Sequence, residues 1–270
     1  MFSRILESIR KEHGAKSTEP PPSPDAGLLD SQLTGWFLHE TGELLQGFPI
    51  IADDTVLDIG CGEGQFARFC ADQGAEIILA DIEATKVEQA QQRLLGSKAS
   101  AITALVTDAA PLPLEDNRVS KVIAMEVLEH VNTPEEFMRE LYRVGKPGAQ
   151  YLISVPGTYS EEIQKALAPA SYFERPNHIR IFSPEGFERL VTDSGLIVES
   201  KTNYGFYWSM WWFFFWTCNQ DLSPPWHPLL ESWAKTWTLL LQTPQGEKVK
   251  RVLDSHMPKS QAIIARKPVN

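Results

Sequence analysis

The sequence is short of cysteine, of basic charge and of long apolar runs, and each shortage excludes a class of protein. Three cysteines, Cys61, Cys70 and Cys218, form no CxxC pair and no even set. Neither a disulfide framework nor a thiolate zinc site is therefore expected, and a reducing cytoplasm is the default location. Lysine and arginine number 25 against 35 acidic residues, for a formal net charge of −10. A phosphate backbone selects a concentrated basic face, so no nucleic-acid partner is expected. The first residues lack the uninterrupted apolar stretch of a signal peptide, because Arg4, Glu7, Arg10 and Lys11 punctuate them. At 270 residues the chain is long enough to bury a sizeable core in one domain with an elaboration.

Within these bounds the patterning is informative. Phe2, Ile5, Leu6 and Ile9 recur at helical spacing and predict a short amphipathic helix, docked on the protein's own body or laid on a membrane surface. KSTEPPPSPDAG follows, and its prolines exclude a helix or central strand, so residues 1–27 read as a helix and linker. From Leu28 to Gln46 a helical pattern carries Trp36 and Phe37. Beyond Thr55, apolar strands over 55–59, 76–80, 101–106, 120–125 and 150–155 alternate with amphipathic helices over 64–73, 84–95 and 134–144. That alternation predicts an α/β fold, a mostly parallel sheet with helices on both faces.

After Pro156 the chain reads as irregular until SPEGFERLVTDSG, a helix that Ser183 caps with Pro184 in its first turn. LIVESKTNYG and QAIIARKP read as the last two strands. About fifty residues separate them where a hairpin needs only a few, so 206–257 is an insertion. The expected division is a core over 28–205, the insertion over 206–257, and the last strand with the C-terminus over 258–270.

VLDIGCGEGQF places Gly60, Gly62 and Gly64 between a strand and a helix start. Glycine lets backbone amides approach a ligand, and the helix N-terminus adds a positive dipole. The dinucleotide fingerprint wants a third glycine where Gln65 stands. Asp81, in ILADIE, lies about twenty residues on, where a carboxylate can bind both hydroxyls of a ribose. Asp108, in VTDAAPLP, can accept from an adenine amino group beside the small Ala109. One nucleoside clamped at both ends is indicated, with no pyrophosphate pocket.

VLDIGCGEG, ILADIE, VTDAAPLPLEDNRVSKVIAMEVLEHV and LYRVGKPGAQYLISVP follow one another over about residues 50–160 in the order and spacing of one family. The chain resembles the class I S-adenosylmethionine-dependent methyltransferases. The resemblance implies a Rossmann-like, doubly wound sheet of seven strands, mostly parallel, with the last antiparallel; the spacing adds the aromatic helical insertion just before that strand. It implies S-adenosylmethionine as cofactor, with Asp58, Gly60, Cys61, Gly62 and Gly64 at the methionine end. Asp81 and Ile82 would take the ribose, Asp108 and Ala109 the adenine, and Glu126 would complete the set.

VIAMEVLEHV runs from an oily strand into Glu126, Glu129 and His130. In a doubly wound sheet the carboxyl ends of the strands face the ligand crevice, so these groups belong beside the transferred methyl. One reading makes them pocket wall, with His130 or His178 as general base. The other is a divalent cation such as Mg2+ held by Glu126, Glu129, His130 and His178, since ligands at i, i+3 and i+4 can converge on one ion. ExxEH with the later histidine of NHIRIFSPEGF resembles the metal-assisted O-methyltransferases of ubiquinone biosynthesis and of small-RNA 2′-hydroxyl ends. In those families the metal grips adjacent substrate oxygens and lowers the pKa of the attacking hydroxyl.

YGFYWSMWWFFFWTCNQ is the most unusual stretch, and no charge appears from Thr202 to Gln220. As a helix its apolar part would reach about 20 Å, short of the roughly 30 Å hydrocarbon core, so no membrane span is expected. It can pack on the protein's own core, form a lid, pair two subunits in a homodimer, or dip into a bilayer surface. Leu230, Trp233, Trp237 and Leu241 recur at helical spacing downstream, followed by the basic EKVKRV, and predict a second helix that pairs with the first. So aromatic a wall favours a lipophilic small-molecule acceptor, such as a prenylated, acylated or polycyclic phenol. The expected activity is methyl transfer to a hydroxyl in the cytoplasm or at a membrane periphery. The alternatives are N- or C-methyl transfer without metal, and a binding module of the same fold without catalysis.

Overall fold

A computed structural model describes residues 25–269, so the amphipathic stretch over 2–9 and most of the linker lie outside the described residues. Helix α1 (Ala26–Thr34) opens the described chain, capped by Asp25, whose carboxylate accepts from the amides of Gly27 and Leu28. It ends far short of Gln46, because Gly35 takes a left-handed conformation at φ 98° and turns the chain away. Three short strands follow instead, β1 (Trp36–Leu38), β2 (Glu43–Leu45) and β3 (Phe48–Pro49), in an antiparallel meander. Leu44, Leu45 and Phe48 are buried there, so the apolar spacing that looked helical serves turns and strands.

The alternating region contains β4 (Thr55–Ile59), α2 (Gln65–Asp72), β5 (Glu76–Asp81), α3 (Ala84–Arg93), β6 (Ile102–Val106), β7 (Val119–Met125), α4 (Pro134–Val144) and β8 (Gly145–Pro156). Then come α5 (Thr158–Leu167), a 3-10 turn (Ala170–Phe173), α6 (Pro184–Asp193), β9 (Ile197–Tyr204), α7 (Phe206–Thr217), α8 (Pro228–Leu241), α9 (Gly246–His256) and β10 (Ser260–Arg266). The Ser183 hydroxyl caps α6 by accepting from Gly186, as its position before Pro184 predicts.

Seven strands form one sheet in the order β6-β5-β4-β7-β8-β10-β9. Only β10 runs antiparallel to its neighbours. Strand order reverses between β4 and β7, and at such a switch point the helices leave on opposite faces and open a crevice at the carboxyl edge. Side chains alternate between two apolar layers. Leu57, Ile59, Val122 and Ala124 point into one, and Val56, Ile123 and Met125 into the other.

The stretch after Pro156 is not irregular, since α5 fills residues 158–167. Its inward face carries Ser160, Glu161 and Gln164, all buried, so it lacks the apolar stripe by which a helix is recognised.

Helices α7, α8 and α9 lie between β9 and β10 and build a third apolar cluster with α1, in which Trp208, Trp211, Trp212, Phe215, Trp237 and Leu241 are buried. Polar groups pin this cap internally. The Trp237 indole donates to Asp30 at 2.9 Å, and the Lys250 ammonium donates to Thr34 at 2.7 Å and pairs with Asp254 at 2.5 Å. Asp254 also accepts from the amide of Phe206 at 2.8 Å, which ties α9 to the start of α7. The basic EKVKRV thus sends Lys250 inward. Among the described residues, no helix is long and apolar enough to cross a membrane.

Candidate active site

The loop after β4 needs its glycines for two different reasons. Gly60 has φ 67°, and a Cβ there would lie 2.4 Å from a methyl of Val127. Gly62, at φ 51°, would meet nothing within 4 Å, so this turn faces open space on the crevice side. Cys61 is spent within the loop, its amide donating to Ala80 at 3.0 Å and its carbonyl accepting from Gly64 at 2.8 Å. Its thiol is buried, and burial pushes its pKa up.

Asp81, at the end of β5, fastens this loop to the next turn. One carboxylate oxygen accepts from the Gly62 amide at 2.9 Å and the other from the Glu83 amide at 3.0 Å. Each oxygen retains a lone pair for a further donor. The adjacent Ile82 is 69% exposed and Val106, at the end of β6, is 59% exposed, so two large apolar side chains stand bare at this edge. Asp108 accepts from the Ala110 amide at 3.1 Å, while Ala109 is buried at φ 62°. Asp58 accepts from the Ala67 amide at 3.2 Å, and burial pushes its pKa up to about 7.

At the end of β7 the chain turns sharply on Glu126, a left-handed non-glycine residue at φ 55°, a conformation that costs of order 1 kcal/mol or more. Its amide donates to the Ser154 carbonyl at 3.1 Å, its carboxylate accepts from the Ser154 hydroxyl at 2.9 Å, and the Lys259 ammonium lies 3.5 Å away. The structure does not bring all four of the expected metal ligands together. Among the described residues, the groups whose ligand atoms lie within 4.8 Å of one another are Glu129, His130 and His178, without Glu126. The i, i+3, i+4 spacing assumed one helical turn, whereas Glu126 belongs to a strand end and is held by β8 and Lys259.

The three remaining residues form a polar knot in which Glu129 and His178 are buried and the His130 side chain is 35% exposed. Neither carboxylate oxygen of Glu129 has a hydrogen-bond partner, and burial, with the Glu126 charge, raises its pKa well above the ordinary value. His130 Nε2 is 3.8 Å from that carboxylate, and His130 Nδ1 is 3.1 Å from the Pro176 carbonyl. Burial, then the neighbouring His178, lowers the His130 pKa. The two imidazoles meet edge to face at 4.9 Å. His178 Nδ1 lies 2.7 Å from the Glu161 carboxylate, and the Tyr172 ring is 4.6 Å from the His178 ring. The Lys259 ammonium, 3.9 Å from Glu161, completes the knot. Burial works against its charge, yet Glu126, Glu161 and Glu129 hold its pKa above normal.

The sequence pattern singles out neither Glu161 nor Lys259. Lys259 carries a usable signal: it directly precedes β10, the antiparallel strand of the seven-stranded sheet, whose start lies at the same edge as the carboxyl ends of the parallel strands. Glu161 sits on α5, the helix hidden by its polar inner face.

Residues 57–153 match the family described as "Methyltransferase domain". The ubiquinone biosynthesis O-methyltransferase of Chelativorans sp. (strain BNC1) is 28% identical over 153 residues, 54% of this chain and 60% of that protein. Phosphoethanolamine N-methyltransferase 2 of Caenorhabditis elegans is 32% identical over 124 residues, 44% of this chain and 28% of that protein. The chain thus spans less than two thirds of the length of these relatives. Among solved structures, an S-adenosylmethionine-dependent methyltransferase from Mesorhizobium loti shares the fold at TM-score 0.54 and 15% identity, covering 82% of this chain and 94% of that one. The [4+2]-cyclase SpnF shares it at TM-score 0.56 and 20% identity, covering 99% of this chain and 93% of that one. One fold therefore hosts different chemistries, and function has to be argued from the site.

Proposed function

The chain belongs to the class I S-adenosylmethionine-dependent methyltransferases, and from that premise we propose that it methylates a hydroxyl of a lipophilic small molecule. The observation that carries this reading is the knot of Glu129, His130 and His178 at the carboxyl end of β7, beside the switch point of the sheet. The residues along the edge suit the cofactor, because Gly62 faces open space and Asp81 retains lone pairs beside the bare Ile82. When bound, S-adenosylmethionine supplies an electrophilic methyl group on a sulfonium.

In this reading Asp81 holds the ribose hydroxyls with Ile82 against the sugar, and Asp108 with Ala109 receives the adenine. Asp58 and the backbone of Gly60, Gly62 and Gly64 hold the methionine end, and Glu126 borders it. His130 or His178 accepts the proton of the acceptor hydroxyl. Burial favours the neutral imidazole of His130, which can serve as a base near neutral pH. The rest of the work is alignment and exclusion of water. Tyr172 beside His178, and Trp216 5.3 Å from Tyr172, make the acceptor side aromatic, which suits an apolar acceptor. The relative named for ubiquinone biosynthesis is consistent with such an acceptor.

Isothermal calorimetry with S-adenosylhomocysteine tests the premise. Wild type is expected to bind, and Asp81→Ala to weaken binding by about tenfold or more, as losing two charged hydrogen bonds implies. No measurable binding by wild type would sink the enzyme assignment.

A specific observation also favours a divalent cation here. Each imidazole has its Nδ1 against an acceptor, Pro176 O or Glu161, which leaves Nε2 for a metal, and the Glu129 oxygens have no other partner. Glu129, His130 and His178 would hold the ion, which would lower the pKa of the acceptor hydroxyl. Chelation is expected to abolish turnover and added Mg2+ or Mn2+ to restore it. Full activity in excess chelator would leave a histidine as the base, with no metal.

A further inference from the structure

A run of hydrogen bonds, part-buried at Trp216 and buried beyond it, leads from the aromatic helix α7 to His178. The indole Nε1 of Trp216 lies 3.1 Å from Gln164 Oε1, Gln164 Nε2 lies 2.8 Å from Glu161 Oε1, and Glu161 Oε2 lies 2.7 Å from His178 Nδ1. Gln164, Glu161 and His178 are all buried, so water does not compete for the two bonds among them. The direction of every bond follows from what each group can do. An indole nitrogen only donates, so the Gln164 side chain must present its oxygen to Trp216 and its NH2 to Glu161. An ionised carboxylate only accepts, and the Lys259 ammonium 3.9 Å away favours that ionised form. The hydrogen between Glu161 and His178 therefore sits on Nδ1, and Nε2 is the lone-pair nitrogen of a ring packed 4.9 Å from His130.

We propose that Trp216, Gln164 and Glu161 are positioning residues that fix His178 as its Nδ1–H tautomer, so that the aromatic insertion sets the proton arrangement of the candidate site. The proposal deepens the reading above, in which His178 Nε2 acts as a base or a metal ligand, and it gives Trp216 a role beyond packing. A phenylalanine at 216 fills similar space and provides no donor, so Gln164 could then rotate its amide and release Glu161. Glu161 bonds His178 directly and faces Lys259 on its other side.

The test uses the full chain labelled with 15N-histidine, with the His178 tautomer read from long-range 1H–15N correlations at mildly alkaline pH. Glu161→Gln and Trp216→Phe are compared with wild type. Wild type is expected in the Nδ1–H form, Glu161→Gln with a substantial Nε2–H population, and Trp216→Phe in between. In parallel, Mn2+ affinity is expected to fall about 10- to 100-fold in Glu161→Gln, the usual effect of losing an outer partner of a histidine ligand. In Trp216→Phe it should fall about fivefold, the equivalent of one neutral hydrogen bond. S-adenosylhomocysteine affinity should not change in either variant, which also establishes that both are folded.

An Nε2–H tautomer in wild type, or two variants with the wild-type tautomer, overturns the proposal. If wild type binds no Mn2+, the tautomer populations decide alone. If wild type binds no S-adenosylhomocysteine, the methyl-transfer reading falls while the tautomer result stands, with fold then judged by circular dichroism.

Discussion

Asp58 shows how much one side chain can set. It is buried in β4 with one hydrogen bond from the Ala67 amide, and its pKa rises from 3.8 to about 7 in the folded protein. The folded state therefore keeps a proton that the unfolded chain has released, and stability falls as pH rises from about 4 to about 7. Above pH 7 both states are ionised and the slope ends. Its contribution approaches at most about 1.4 kcal/mol per pH unit. Asp58→Asn, which keeps an acceptor for Ala67, is expected to flatten urea midpoints measured between pH 5 and 7; an unchanged slope would remove Asp58 as their cause.

At this scale part of the site was legible and part was not. Glu129, His130 and His178 could be read because they follow strand ends or sit in short polar phrases, and the fold brings all three together. Glu126 stands apart from them, because a left-handed turn aims its carboxylate at Ser154 and Lys259. Glu161 and Lys259 are ordinary charged residues in sequence, and their importance lies only in what they face.

Among the elements, strands buried on both sides and helices with a clear apolar stripe were readable nearly to the residue. Strand β4 and helix α4 begin and end at the expected positions, over 55–59 and 134–144. Where structure and expectation differ the physical cause is shared, because apolar spacing is not the whole signal. At 28–46, Gly35, Gly42 and Gly47 have positive φ angles that turn a would-be helix into a meander. At 157–168, α5 has no apolar stripe, because its buried face supplies Glu161 and Gln164 to a hydrogen-bonded network. Helix α7 is the opposite case, apolar on nearly every side, and it is accommodated because α1, α8 and α9 cover it.

Taken as one body, the molecule joins an aromatic cap to a twisted sheet by polar as well as apolar contacts. Ser209 of α7 donates to the Met257 carbonyl at 3.1 Å, and Trp216 reaches Gln164 of α5. Seven of the eight tryptophans fall between Trp208 and Trp237, whereas Trp36 packs beside the sheet. Tryptophan emission therefore reports mainly on the cap, and far-ultraviolet circular dichroism on the whole fold. The two urea unfolding curves are expected to coincide, as one cooperative transition requires. Loss of the emission signal ahead of the dichroism would mean that the cap melts separately.

Strand β10 comes after every other strand in the chain, yet it lies between β8 and β9. Without residues 260–266, β8 and β9 would each keep an unpaired hydrogen-bonding edge bordering the slot where β10 now lies. Such edges invite pairing with foreign strands. A nascent chain paused after β9 would thus be a natural client for a chaperone, and the closing of this slot is the step at which the half-built sheet stops being sticky.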